Sequence, residues 1–172
     1  MADIELIKSD LSQSDLFFEM DQLLIELIAS ICDERTYEHN EIIFEENSDQ
    51  HELYIIAYGE VEIKVRPGTL GTGLLNDPKH LKTIATLRRG QNFGEVALVD
   101  DGRRTAAAVC AENKTRLLVI PREKLLMMCE NVPKLGYLLM RGLAADLATK
   151  IRSADLDIRD HLTWVPQNKD QN

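Results

Sequence analysis

The sequence predicts a mostly β domain, a jelly roll or a related sandwich or barrel, with helical segments on either side. Three observations carry this. From about 11 to 34, Leu23, Leu24, Leu27, Ile28 and Ile31 recur at helical spacing. From about Tyr37 to Leu118 the chain breaks into short β-type runs divided by turn residues. After Pro121 the helical pattern returns and runs to about Trp164.

Taken in order, the first helix has Ser12 or Ser14 as its candidate N-cap. Ile42-Ile43-Phe44 is a short strand, and Leu53 to Tyr58 is an apolar run that ends at Gly59. Val61, Ile63 and Val65 then alternate with Glu60, Glu62 and Lys64, the mark of a strand with one buried face. Residues 67–80 hold Pro67, Gly68, Gly71, Gly73, Asn76, Asp77 and Pro78, and so predict a long hairpin connection. Strands resume at Leu81–Leu87, Thr105–Val109 and Arg116–Ile120. Pro121 suits the first turn of a helix that runs to about Glu130. Beyond Pro133, Met140, Ala144, Leu147, Ile151, Ala154, Ile158 and His161 space out as a coiled-coil-like seam.

Composition removes several classes of function. With 20 basic against 29 acidic residues, the net charge of −9 argues against direct binding of DNA or RNA, which needs a basic surface. A small anion remains possible, because it feels only the field of its own pocket. No apolar stretch is long enough to span a membrane, and the start lacks the features of a secretion signal, so the cytoplasm is the expected compartment. Cys32, Cys110 and Cys129 are odd in number and widely spaced, and read as reduced core residues. His39, His51, His80 and His161 show no metal-binding spacing, and no Ser-His-Asp or Cys-His set is defensible. Neither a metal, a cofactor nor a catalytic role is expected.

The informative stretch runs from Gln91 to Ala108. Gly94 permits close approach of a ligand to the backbone. If Glu95–Leu98 form a helical turn, the free N–H groups at its start favour an anion. Arg104 offers a planar fork of donors to phosphate oxygens, each charge-assisted bond contributing about 1.5–3 kcal/mol. Glu95 cannot face a phosphate, but it can accept from a sugar hydroxyl. The small residues Thr105 to Ala108 leave room. Together they describe a pocket for a sugar phosphate or nucleotide.

Phe93-Gly94-Glu95-Val96-Ala97-Leu98, followed by Arg104-Thr105-Ala106, resembles the phosphate-binding cassette of the cyclic nucleotide-binding domain family. That family includes bacterial catabolite activators and the regulatory subunits of cyclic-nucleotide-dependent protein kinases. Glu41 to Glu46, Leu53 to Ile56, Gly59-Glu60-Val61 and Leu117 to Ile120 resemble the family's flanking strands, so the likeness covers about 15–155. It implies a double-stranded β-helix, that is, a jelly-roll-like β-roll. The N-terminal helical segment would be 1–34 and the β-roll 35–120, with its cassette at 93–106. Two C-terminal helices would follow at 121–164, as a lid and possible dimer helix, then a flexible tail at 165–172.

By the same resemblance Glu95 would accept from the ribose 2′-hydroxyl. Arg104 would pair with the cyclic phosphate, helped by backbone N–H groups of Val96 and Ala97, with the Thr105 hydroxyl in addition. The base would lie near Val61, Ile63, Leu87 and Phe93. The expected ligand is cAMP, with cGMP as the alternative, since Thr105 cannot choose the base. The expected output is a protein partner, or a homodimer through the last helix.

Two departures from the family pattern stand out. The turn before Leu53 reads Asn47-Ser48-Asp49-Gln50-His51 instead of a glycine-rich sequence, which predicts a different turn geometry. Aligned through Pro133, the adenine-contacting Thr-Ser pair of the family's bacterial activators falls on Lys150-Ile151, so that contact does not carry over, and Thr149, Arg152 and Ser153 are the nearby candidates. Few residues follow Trp164, so no winged helix-turn-helix is expected on this sequence. The competing readings are a β-roll scaffold that binds protein alone, and a regulatory piece of a larger channel, kinase or regulator.

Overall fold

A computed structural model describes residues 4–66 and 81–163. The predicted hairpin loop at 67–80 and the tail at 165–172 lie outside the described residues. In chain order the elements are α1 (Ile4–Ser12), α2 (Gln22–Ala29), β1 (Asp33–Tyr37), β2 (Ile42–Phe44), β3 (Leu53–Tyr58) and β4 (Glu60–Val65). They continue with β5 (Lys82–Arg88), β6 (Asn92–Phe93), α3 (Glu95–Asp100), β7 (Ala107–Cys110), β8 (Thr115–Ile120), α4 (Arg122–Asn131) and α5 (Pro133–Thr163).

The strands form two four-stranded antiparallel sheets, ordered β1-β8-β3-β6 and β2-β7-β4-β5. This is a β-roll with helices on the outer face of the first sheet. Strand periodicity explains the layering. In β3, Leu53, Ile55 and Ala57 point one way, into a cluster with α1, α2, α4 and α5, while Tyr54 and Ile56 point the other way, toward the second sheet. In the same manner β8 sends Leu118 and Ile120 to the helices and Leu117 and Val119 inward. Both strands are buried on both faces, hence their unbroken apolar runs. Each such side chain, fully buried, contributes about 1.5–3 kcal/mol. In β4 only one face is covered: Val61 and Ile63 face the interior, while Glu62 and Lys64 pair at 2.7 Å outside it.

The N-terminal segment differs from a single helix over 11–34. Helix α1 begins at Ile4, residues 13–21 form a turn, and α2 starts only after Asp21, whose Oδ1 accepts from the Leu24 N–H at 3.1 Å. Neither Ser12 nor Ser14 starts a helix. The Ser12 hydroxyl donates back to the Lys8 carbonyl at the end of α1, and Ser14 is buried in the turn. The last predicted helical residues, Asp33 and Glu34, belong to edge strand β1, which pairs only with β8 and buries only Tyr37. Asp10 anchors α1. Its buried carboxylate accepts from Arg116 of β8 at 2.7 Å and from Arg89 at 3.2 Å.

Helix α5 has two regimes. Leu135, Leu139 and Leu143 are buried against the body, and at Gly142 a Cβ would come within 2.8 Å of the Leu16 carbonyl, so only glycine lets the helix press on the 13–21 turn. From Ile151 to Leu156 every residue is exposed. The seam read from the sequence lies away from the core: Met140, Ile151 and Ile158 are exposed, and Ala144 and Ala154 with them. The side chain of His161 lies outside the described residues.

Candidate functional site

The cassette is one continuous turn of chain between the sheets. Strand β6 ends at Phe93, Gly94 turns at φ +84°, and α3 follows. A Cβ on Gly94 would lie 2.6 Å from Arg104 Nη1 and 2.8 Å from the Glu52 carbonyl, so both the backbone angle and the space require glycine. The first N–H groups of α3 have no acceptor one turn earlier in the helix, and Val96 and Ala97 lie in that first turn.

Arg104 is 2% exposed. Its Nη1 donates to the Gly94 carbonyl at 2.9 Å and its Nη2 to the Glu52 carbonyl at 2.7 Å. The guanidinium stacks 4.1 Å above the Phe44 ring. Glu52 Oε2 stands 3.7 Å from Nη2, outside hydrogen-bond reach, and Nε has no partner. Burial pushes the guanidinium below its usual pKa, while Tyr54, Glu52 and Glu95 pull it back. Such a cation, with donors to spare, is suited to an anion.

The glycine-poor turn before β3 is held to this arginine by backbone. The Asn47 N–H donates to the Arg104 carbonyl at 2.8 Å, and the Arg104 N–H to the Ser48 carbonyl at 3.1 Å. Asn47 itself takes φ +65°, a conformation that Asn tolerates where glycine is missing.

Glu95 is buried, and its Oε1 pairs with Lys150 Nζ of α5 at 2.9 Å. At the other end of α3, Arg122 of α4 donates to the Leu98 carbonyl at 3.0 Å and pairs with Asp101 at 3.2 Å. Both C-terminal helices are therefore wired to the cassette by charged groups.

Val61, Leu87 and Phe93 belong to one inner apolar cluster with Phe44 and Tyr54, and Ile63 packs against it. Thr105 is exposed and Ala106 half-buried beside Arg104. Thr149, Arg152 and Ser153 are not brought to the cassette here. All three are exposed, and the Thr149 and Ser153 hydroxyls donate to carbonyls of their own helix. The residue of α5 that does reach the cassette is Lys150. Sequence reading registered it only as a mismatch, although a lysine at that alignment position was itself the signal. Two clefts, of about 690 and 330 Å³, lie elsewhere, one between α1 and the first sheet and one between the 13–21 turn and α5. Neither is lined by residues 93–106.

Among the described residues no group of three or more His, Cys, Asp or Glu is placed to hold a metal. None of the helices described is long and apolar enough to cross a membrane. The cysteines are unpaired thiols. Burial pushes the Cys32 thiol from 9.0 to about 12. At pH 8 its thiolate fraction falls about 1000-fold, partly offset by the greater nucleophilicity of a more basic thiolate. Native-state alkylation followed by mass spectrometry is expected to label Cys32 about thirtyfold more slowly than a cysteine in a short peptide. Equal rates would show that its thiol is not buried in solution.

Residues 34–132 match the family model described as the cyclic nucleotide-binding domain. Over 145 residues the chain is 33% identical to the cyclic AMP receptor protein of Thermus thermophilus, covering 84% of this chain and 61% of that one. Over 87 residues it is 37% identical to human cGMP-dependent protein kinase 2, covering 51% of this chain and 10% of the kinase. The crystal structure of the Thermus thermophilus catabolite activator protein superposes with a TM-score of 0.68 at 33% identity, over 87% of this chain and 63% of that one. A cyclic nucleotide-binding domain from Methylobacillus flagellatus superposes at 0.75 over 95% of this chain and 86% of that one, and at 22% identity it speaks to the fold alone. The chain thus spans less than two thirds of the length of the curated relatives named here.

Proposed function

The chain belongs to the cyclic nucleotide-binding domain family, and from that premise we propose that it is a cytoplasmic sensor module that binds a 3′,5′-cyclic nucleotide, with cAMP preferred, and performs no chemistry. The observation that carries this reading is Arg104: a buried guanidinium with an unpartnered Nε and no carboxylate within hydrogen-bond distance, beside the first turn of α3. A cyclic phosphate supplies a closer counter-charge than Glu52, whose Oε2 forms an ion pair with Nη2 at 3.7 Å, and accepts from Arg104 and from the N–H groups of Val96 and Ala97. Gly94 lets Arg104 and the Glu52 carbonyl close on the backbone, the small Ala106 stands beside Arg104, and Thr105 adds a hydroxyl at the rim. The ribose hydroxyl donates to Glu95. The base packs on the roll near Val61, Ile63, Leu87 and Phe93.

Output then follows from the two charged links. Whatever orders or displaces α3 moves Arg122 and Lys150, and with them α4 and α5. A ligand shifts that equilibrium only by its differential affinity for the two arrangements. The exposed seam of α5 is the surface that a protein partner or a second copy would read.

Calorimetric titration of protein freed of carried-over nucleotide tests the reading. Saturable binding of one cAMP per chain, with weaker binding of cGMP, is the expected result. Absence of heat and of thermal stabilisation with both nucleotides would leave the roll as a protein-binding scaffold instead.

A further inference from the structure

We infer that Lys150 is a gate on the nucleotide site, holding α5 against the carboxylate that the ribose must reach. This rests on the reading of Glu95 as the ribose contact. The Lys150 ammonium stands 2.9 Å from Glu95 Oε1, 2.8 Å from Asp146 Oδ2 and 3.1 Å from the Asn92 carbonyl. Two of its donors are hydrogen-bonded, to Glu95 and to the Asn92 carbonyl, and Asp146 adds an ion pair. Asn92 closes the network by donating from Nδ2 to Asp146 at 3.1 Å. Asn92, beside the cassette, and Glu95, within it, are thus tied to two residues one turn apart on α5.

The place of this network along α5 gives it leverage. Upstream, Leu135, Leu139 and Leu143 hold the helix by apolar burial. Downstream, Ile151 to Leu156 are exposed. Lys150 stands at the boundary, where the apolar hold has ended and the helix leaves the body. The Glu95 side chain is 7% exposed, so a sugar hydroxyl gains its carboxylate only when a covering group moves. Lys150, with its side chain 34% exposed, is the covering group with somewhere to go, since its ammonium can be rehydrated.

Nucleotide and Lys150 therefore compete for one carboxylate. The apparent affinity falls by the fraction of molecules whose gate is open, and the work of opening frees the end of α5. If about one molecule in ten is open, affinity is about tenfold below its limit.

The test compares wild type, Lys150→Met and Lys150→Arg by calorimetric titration with cAMP and cGMP, with hydrogen exchange of the 143–156 amides. Methionine keeps helix propensity at a partly exposed site, and a thermal melt checks the fold. The expected result is that Lys150→Met binds the same nucleotide as wild type about tenfold more tightly. Its α5 amides, without nucleotide, should exchange as fast as those of wild type with nucleotide. Lys150→Arg, which keeps the charge, should stay within about threefold of wild type. Unchanged affinity in Lys150→Met overturns the gate alone, and weaker affinity overturns it in favour of Lys150 as a direct ligand contact. Binding by none of the three overturns both the gate and the reading beneath it.

Discussion

Arg104→Met is expected to weaken cyclic nucleotide binding at least about hundredfold while the domain still folds. A guanidinium binds phosphate through charge-assisted bonds of about 1.5–3 kcal/mol each, and loss of two exceeds the ~2.7 kcal/mol of a hundredfold change. Stability responds less, because two effects oppose one another. Methionine removes a buried cation that has no carboxylate in hydrogen-bond reach, and it still packs on Phe44 and Tyr54. It also leaves the carbonyls of Gly94 and Glu52 without their donor. The net loss is expected to stay within about 2 kcal/mol. Arg104→Lys separates charge from geometry: one ammonium cannot serve both carbonyls and a phosphate, so its affinity should lie between the two. Calorimetry and urea melts on the three proteins read both quantities. Affinity of Arg104→Met within threefold of wild type would place the phosphate elsewhere.

The parts of this fold legible in the sequence are those whose local pattern equals their burial. Val61 and Ile63 alternate with Glu62 and Lys64 because β4 has one wet face, and Leu53–Tyr58 is continuous because β3 has none. Edge strand β1 escaped detection since Asp33-Glu34-Arg35-Thr36 has no buried side to mark it, and its partner β8 is about 80 residues away in sequence. The break between α1 and α2 escaped for another reason. Phe17, Leu24 and Ile28 pack into one cluster with Leu139 and Leu143, so the apolar pattern continues through a turn where the helix does not.

The cassette was legible as a motif, and its glycine, carboxylate and arginine lie together. Its electrostatics were not legible. That Arg104 points inward onto Phe44 depends on β2, which meets it only through the sheet, and that Glu95 is already paired depends on a helix more than 50 residues on. A residue that reads as a lost base contact is, in three dimensions, a charge placed on Glu95, the carboxylate proposed to hold the ribose.

Gly94→Ala is expected to cost about 2–5 kcal/mol of stability and to weaken nucleotide binding further than that loss alone explains. The left-handed backbone at φ +84° costs an alanine about 1–2 kcal/mol. Overpacking adds about 1–3 kcal/mol, because the new Cβ lies 2.8 Å from the Glu52 carbonyl, which is main chain of β3's entry and cannot swing away. Its other neighbour, Arg104 Nη1 at 2.6 Å, can move, but only by giving up the Gly94 carbonyl and its station over Phe44. Gly102→Ala is the control. There the close neighbours are the carboxylate oxygens of exposed Asp100, at 2.9 and 3.0 Å, which can rotate into solvent, so the change should stay within about 1 kcal/mol. Urea unfolding of both variants, with calorimetric titration of each, separates the strain from the ligand effect. If Gly94→Ala loses less than about 1 kcal/mol, Arg104 is not held against the Gly94 carbonyl in solution, and the phosphate site built on that contact falls with it.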